Sequence, residues 1–275
     1  MTKIPTTSEL IKTHNLGAKK SLGQNFILDR NVTDKIARSS KNLKDYQTLE
    51  IGPGPGSLTR SILNAGTKKL IAIEKDQRCL AALNELKTAA NYENLELIEA
   101  DALEIDELAL FPGDEKFKII ANLPYNIGTI LVFKWLKIAP KIASMHLMLQ
   151  KEVVERIVAK PGEKHYGRLS VMINFLCETK MLFSVSRFVF TPPPKVTSAI
   201  VEIIPRDKPL ADVDFKKLER VVASAFGQRR KMLKSSLKGV VENPEQLLKS
   251  VGIDPELRAE RLSIEEFCKI AAKIK

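Results

Sequence analysis

The sequence predicts an α/β fold built on a parallel, doubly wound sheet and followed by a small all-helical domain. Three observations predict it. Apolar β-compatible runs alternate with stretches of helical spacing between residues 47 and 150, a glycine-rich turn follows the first of these runs, and no strand pattern remains after residue 206. Residues 47–51 (QTLEI) read as a strand, and residues 52–56 (GPGPG) are excluded from a helix interior. Residues 58–63 place apolar side chains at helical spacing, and residues 69–74 (KLIAIE) are apolar again, which completes a βαβ unit. The alternation continues with a helix at 77–90, strands at 95–99 and 117–121, a helix at 129–138 and a strand at 144–149. Beyond Gln150, helices at 151–159 and 168–177 flank the basic loop 160–164 (KPGEK). Residues 180–190 and 198–204 then read as strands around 191–195 (TPPPK), whose three prolines fix a rigid, non-helical connector. From Asp214 onward every segment reads as helix, broken at Gly239, Asn243-Pro244 and Asp254-Pro255. The expected domains are therefore 1–206, with an N-terminal segment 1–45, and 207–275.

Composition excludes several classes of protein. With 44% hydrophobic and 28% charged residues, the 275-residue chain matches neither a disordered nor a membrane protein. No apolar run reaches the roughly 18 residues of a spanning helix. The first 30 residues carry no apolar stretch of the secretory type, so a cytoplasmic location is expected. Cys79, Cys177 and Cys268 form no Cys-x-x-Cys pair, and His14, His146 and His165 are equally scattered, so neither a disulfide framework nor a metal site is expected. The net charge of +11 favours a polyanionic partner, although charge alone is equally compatible with a generic basic surface.

The chemistry is concentrated at the ends of the predicted strands. Glycines 52, 54 and 56 let the backbone approach a ligand at the start of a helix, where the partial positive field favours anionic groups. A dinucleotide fingerprint has the spacing Gly-x-Gly-x-x-Gly, and here the third glycine comes one residue early. This turn suits the amino-acid end of S-adenosylmethionine better than a pyrophosphate, with an ordinary tight βα turn as the alternative. Glu74 ends the second strand, where a carboxylate can accept from a ribose diol. Asp101 follows the third, where one can accept from an adenine amine. Each singly also reads as a solvated loop acid.

Residues Asn122, Leu123, Pro124 and Tyr125 end the fourth strand. An exocyclic adenine amine is a poor nucleophile because its lone pair is delocalised into the ring. The Asn122 side-chain oxygen and the Leu123 carbonyl offer two acceptors for its N–H bonds, which leaves the lone pair aimed at a methyl donor. Catalysis then comes from positioning and electrostatics, with no strong base. Pro124 stiffens the turn, and Tyr125 presents a π face to a base taken out of its stack. Together with the glycine turn, the tetrapeptide points to a Rossmann-like class I S-adenosylmethionine-dependent methyltransferase.

The segments 20–26 (KSLGQNF), 50–56 (EIGPGPG), 122–127 (NLPYNI), 190–198 (FTPPPKVTS) and 225–233 (AFGQRRKML), with 257–262 (LRAERL), occur in an order that resembles the ribosomal RNA adenine N6-dimethyltransferases. The small-subunit branch, the kasugamycin-sensitivity type, is the most similar. The resemblance implies transfer of methyl groups from S-adenosylmethionine to N6 of two adjacent adenosines in a hairpin near the 3′ end of 16S rRNA. Each adenosine is dimethylated during 30S assembly, with the RNA in the subunit or its precursor as partner and the enzyme a monomer. It further implies that Asn25 and Ile27 border the cofactor, with Gly52 and Gly54 at its methionine moiety, Glu74 on the ribose, Asp101 and Ala102 at the adenine and Asn122 at the reacting centre. Ile27 replaces a common Leu at similar volume. Phe190 resembles an aromatic that stacks on the target base opposite Tyr125, and a core Phe is the alternative. The run Arg220, Arg229, Arg230, Lys231, Lys234 and Lys238 contains no acid and is implied to meet RNA phosphates, with Lys19, Lys20, Lys160 and Lys164 as weaker candidates.

Three other readings stay open at this point. A 23S rRNA adenine N6-methyltransferase of the macrolide-resistance type shares several motifs but not LRAERL. A non-catalytic 30S assembly factor conflicts with the intact Asn122 and Tyr125. An NAD oxidoreductase conflicts with the glycine spacing.

Overall fold

The computed structural model describes residues 3–18 and 24–274. The order of elements is α1 (Thr7–Thr13), β1 (Phe26–Ile27), α2 (Arg30–Ser39), β2 (Gln47–Ile51), α3 (Ser57–Asn64), β3 (Lys69–Glu74), α4 (Gln77–Ala90), β4 (Leu95–Glu99), α5 (Glu107–Leu110), β5 (Phe117–Asn122), α6 (Gly128–Leu136) and β6 (Ile142–Gln150). There follow α7 (Lys151–Val158), α8 (Arg168–Leu176), β7 (Cys177–Val185), β8 (Phe190–Thr191), β9 (Ser198–Pro205), α9 (Phe215–Gly227), α10 (Leu233–Ser236), α11 (Pro244–Ser250) and α12 (Ile264–Ala271).

Seven strands form one sheet in the order β4-β3-β2-β5-β6-β9-β7. The first five are parallel, as the alternation predicts, and the strand order reverses between β2 and β5. This is the switch point at which ligands bind beyond the strand ends in open α/β sheets. β9 runs antiparallel to β6, with Met145 opposite Ile203 and Gln150 opposite Ser198, so the sheet is mixed rather than wholly parallel. The strand predicted over 180–190 is broken. β7 stops at Val185, the side chain of Ser186 accepts from the Phe188 N–H, and a 3₁₀ turn at Arg187–Val189 redirects the chain. Phe190 and Thr191 then pair antiparallel with Ile27 and Phe26 as a separate two-stranded sheet.

The central strands β2, β3 and β5 are buried on both faces, as parallel strands between helical layers are. Leu70 and Ala72 of β3 join Ile120 and Met148 in a core completed by Ile36 and Ala37 of α2 and by Leu58 and Ile62 of α3. A second cluster sets Cys79, Ala82 and Leu86 of α4 against Leu10, Leu16 and Phe26 from the N-terminal segment. Helix starts carry side-chain caps. Asp29 accepts from Asn31 and Val32, Asp76 accepts from Arg78, and Thr6 and Ser263 form capping boxes with Glu9 and Glu266. No helix among the described residues is long and apolar enough to cross a membrane, and no cluster of three or more potential metal ligands occurs among them. All three cysteines are buried, and burial pushes the Cys177 thiol up to about 12 and the Cys268 thiol up to about 11.

The chain forms two units. One comprises residues up to Val154 together with Lys180–Pro205, and the other comprises Glu155–Thr179 with the residues from Arg206 on. The sequence places 155–179 in the first domain, whereas the structure packs this segment into the second unit. The reason lies in its side chains and backbone. The Tyr166 ring is fully buried edge-on to Phe226 at 5.9 Å, and Phe226 lies 5.6 Å from Phe267. The Tyr166 hydroxyl donates to the Leu262 carbonyl at 2.9 Å, and the Gly162 N–H donates to the Glu260 carbonyl at 2.8 Å. A buried carbonyl stripped of its donor costs more than the net worth of an average hydrogen bond. Tyr166→Phe should therefore lower the unfolding free energy by about 1–2 kcal/mol, seen as a Tm decrease of roughly 2–4 °C in a calorimetric scan. An unchanged Tm would show that this bond does not hold the segment.

Candidate active site

One cavity in the first unit opens at the carboxyl ends of β2, β3 and β5. Each residue expected at the cofactor or the target base lines it: Asn25, Ile27, Gly52, Gly54, Glu74, Asp101, Ala102, Asn122, Leu123, Pro124, Tyr125 and Phe190. The glycine turn shapes one wall. Gly52, Gly54 and Gly56 have φ values of 66°, 55° and 86°, a region L side chains rarely enter. A Cβ on Gly54 would stand 3.2 Å from the Phe26 ring, and one on Gly56 would stand 2.8 Å from a Leu86 methyl.

Glu74 holds this turn to the sheet. Its Oε2 accepts from the Gly54 N–H at 3.1 Å, and its Oε1 accepts from the N–H groups of Lys75 and Asp76, each at 2.8 Å. Burial pushes the carboxyl up from its usual range, and these three donors oppose that shift. Asp101 is held differently. Lys75 Nζ lies 2.8 Å from its Oδ2, and the Leu103 N–H donates to its Oδ1 at 3.0 Å, so the nearby ammonium holds its carboxyl below the ordinary value. Ala102 is buried, and its carbonyl accepts from Lys134 Nζ at 2.9 Å. Lys134 also reaches the Ile105 carbonyl and pairs with Glu107, pinning the loop beyond β4.

On the facing wall, the Asn122 amide nitrogen donates to the Asn25 carbonyl at 3.4 Å, which turns the side-chain oxygen away from the N-terminal segment. The Leu123 N–H donates to the Met148 carbonyl, and the Leu123 carbonyl receives no hydrogen bond from the described residues. The Tyr125 hydroxyl lies 2.7 Å from Ser198 Oγ, and burial pushes its pKa up. Phe190 is only 2% exposed. It belongs to the apolar core and lines the cavity at once, so the two readings of this residue describe one position.

Supporting residues escape the sequence reading. Ser198 leaves no signal before the fold is known. Glu50, an acid inside an apolar strand, does leave one. It lines the cavity at 1% exposure, its Oε2 meets no donor among the described residues, and burial pushes its carboxyl up to about 8.

The basic residues lie in the second unit. Arg230, Lys231 and Lys238 are exposed, and no ion pair forms at them among the described residues. Lys234 pairs with Glu256 at 3.1 Å. Arg229 is a structural residue in part, since its Nη2 donates to the Lys164 and Tyr166 carbonyls at 2.9 and 3.0 Å. Lys160 and Lys164 are exposed on the loop that Arg229 holds, and Lys19 and Lys20 lie outside the described residues.

The family model for ribosomal RNA adenine dimethylases matches residues 15–275. The chain belongs to this family. It is 52% identical over 272 residues to a ribosomal RNA small subunit methyltransferase A of Agrobacterium fabrum, an alignment that covers 98% of this chain and 97% of the relative. A second protein of that description, from Paramagnetospirillum magneticum, is 49% identical over 98% and 95%. Among solved structures, a dimethyladenosine transferase of Plasmodium falciparum superposes with a TM-score of 0.77 at 28% identity, covering 89% of this chain and 95% of that one. The 23S rRNA methyltransferase ErmE superposes with a TM-score of 0.69 at 26% identity, covering 90% and 98%. This adenine dimethylase therefore shares the class I methyltransferase fold.

Glu50 gives a signed pH test. Its folded pKa of about 8 stands above the unfolded carboxylate value of about 4.3, so the wild type loses stability as pH rises through that window. Glu50→Gln removes the titration. The stability of the variant relative to wild type should grow between about pH 5 and pH 8, by an amount on the order of a few kcal/mol, and level off above. A difference independent of pH in chemical denaturation would exclude a neutral buried Glu50.

Proposed function

We propose that the cavity binds S-adenosylmethionine and one unstacked adenine. The chain then dimethylates N6 of two adjacent adenosines in a hairpin near the 3′ end of 16S rRNA, in the assembling small subunit and in the cytoplasm. The observation that carries this reading is the Asn122 side chain, oriented by the Asn25 carbonyl, beside the open Leu123 carbonyl, with Tyr125 and Phe190 on the same cavity as the glycine turn. The naming of relatives near 50% identity as small-subunit methyltransferases supports the 16S branch over the 23S branch.

The residues fit the cofactor. Glu50 leaves a buried carboxyl oxygen without a donor in the cavity, where an amino-acid ammonium supplies one, and Gly54 leaves room that a Cβ would fill. Gly52 and Gly54 would flank the methionine moiety, Glu74 the ribose hydroxyls, Asp101 and Ala102 the adenine, and Asn25 and Ile27 the remaining edge. When bound, the cofactor supplies an electrophilic methyl group. Asn122 Oδ1 and the Leu123 carbonyl accept the two N–H bonds of the target amine, which turns its lone pair out of ring conjugation. Tyr125 and Phe190 hold the base between two aromatic faces. The proton released leaves to water, since no side chain with base character stands at Asn122.

Labelled S-adenosylmethionine should mark adenine N6 in small-subunit particles or naked 16S rRNA. Labelling of 23S rRNA alone would move the assignment to the resistance branch. Asn122→Ala should slow transfer by roughly 10²-fold or more with cofactor affinity within about twofold, and retained activity would remove Asn122 from the reacting centre.

The exposed basic run is proposed to contact RNA phosphates. Charge reversal at Arg230, Lys231 and Lys238 should weaken RNA binding and flatten its salt dependence. Arg229→Ala should in addition lower the Tm, because it frees two carbonyls. An unchanged salt slope in the triple variant would return the run to a solvated surface.

A further inference from the structure

A second concavity lies in the first unit, lined by the starts of α1 and α2 and by α3. Its charged lining consists of Arg30 and Arg60, with hydroxyls such as Thr7, Ser8 and Ser61 beside them, and no acid faces it. Arg60 is half-buried. Its Nη2 donates to the Pro5 carbonyl, its buried Nε meets no acceptor, and no carboxylate pairs with it among the described residues. Burial pushes its pKa down, the neighbouring Arg30 charge adds to that, and Tyr92 and Glu9 oppose the shift without cancelling it. Arg30 is 77% exposed and poorly neutralised. Its one carboxylate partner, Asp34, stands 3.6 Å from both Arg30 and Arg38 while accepting the shorter 2.7 Å bond from Ser61. Of the other acids nearby, Glu9 is held by Lys3 and by the Thr6 N–H, and Asp29 caps the start of α2 by accepting from the Asn31 and Val32 N–H groups. Four cations thus stand against three carboxylates here, Lys3, Arg30, Arg38 and Arg60 against Glu9, Asp29 and Asp34, and the excess is positive.

This concavity adjoins the active site. Ser57 lines both. Ile27 pairs with Phe190 in the catalytic cavity, and the next residue, Leu28, lines the second concavity while its N–H donates to the Val189 carbonyl. We propose that the Arg30–Arg60 concavity binds a phosphodiester group of the RNA strand whose base enters the neighbouring cavity. The inference rests on the RNA-methylating reading above. Guanidinium groups suit phosphate because they present several donors in a fixed plane, and a phosphate supplies the directly paired anion that Arg60 lacks among the described residues. A contact at this place would set the register of the strand without reading its sequence.

The test measures binding of a 3′-terminal small-subunit hairpin RNA to the full-length protein over a series of potassium chloride concentrations. Arg30→Ala should weaken RNA binding about three- to tenfold and reduce the slope of log K against log salt by about 0.7 to 0.9, the contribution of one phosphate. Cofactor affinity and Tm should stay at wild-type values. Arg60→Ala should show the same slope change, and Arg60→Lys, which keeps the charge, should restore most of it. Arg60 also anchors Pro5, so Arg30→Ala, an exposed position, is the variant on which the outcome turns. Wild-type affinity and slope in Arg30→Ala and Arg60→Ala, with wild-type protein binding and methylating the same RNA, would overturn the site. A rise in wild-type Tm with inorganic phosphate, lost in Arg60→Ala while the RNA slope is unchanged, would overturn the RNA source and leave a free-anion site. If wild-type protein fails to methylate small-subunit RNA, the underlying reading fails instead, and the two failures are distinct.

Discussion

The cavity depends on one carboxylate. Glu74 gathers three backbone N–H groups, from Gly54, Lys75 and Asp76, and so ties the glycine turn after β2 to the end of β3. Glycine enters the left-handed region at no steric cost, and Glu74 is the side chain that fixes the turn at Gly54. Asp76, one of the residues bonded to Glu74, is itself clamped by Arg78 Nε and Nη2 and by Gln24, which holds its carboxyl down near 2. A chain of short polar contacts thus runs from the N-terminal segment through the cap of α4 to the glycine turn.

The two walls of the cavity are built on different principles. The glycine wall is made of backbone and acids, with the Glu50 carboxyl pushed up by burial and Glu74 accepting three backbone N–H bonds while keeping a further lone-pair site, and suits a ligand rich in polar groups. The Asn122 wall carries two acceptors that meet no donor among the described residues, with Tyr125 and Phe190 lining the same cavity, and suits a flat base bearing N–H bonds. Dimethylation needs a wall of this second kind, because the first methyl removes one N–H bond and leaves a single acceptor in use. In the proposed reading, positioning then comes from stacking on Tyr125 and Phe190, which line the same cavity.

Much of this was legible in the sequence. The βαβ core was, because strand and helix periods differ sharply over residues 47–150 and because glycines and acids mark the strand ends. The break after Val185 was not, since it depends on the cap from Ser186 and on pairing with a segment far away in the chain, which no local period encodes. The placement of residues 155–179 was hidden for a similar reason: Tyr166 reads as a loop aromatic until Phe226, Phe267 and Leu262 surround it. Arg229 and Lys231 look alike in a basic run, and only the carbonyls of Lys164 and Tyr166 separate an anchoring guanidinium from an exposed ammonium. The paired state of Asp101 was equally invisible, because Lys75, just past β3, reaches it beyond the end of the neighbouring β4.

The pairing of Phe26 and Ile27 with Thr191 and Phe190 has a consequence for the order of events in synthesis. The cofactor wall and the base wall meet through strands drawn from near the beginning and near the end of the first unit. A nascent chain that has already formed β2 through β6 still presents an unfinished cleft, because the closing strand has not left the ribosome. Long-range pairings of this kind form late, after local elements have condensed. The enzyme therefore becomes able to enclose its substrates only once translation has passed Thr191, and a shortened nascent chain has no finished site in which to hold them.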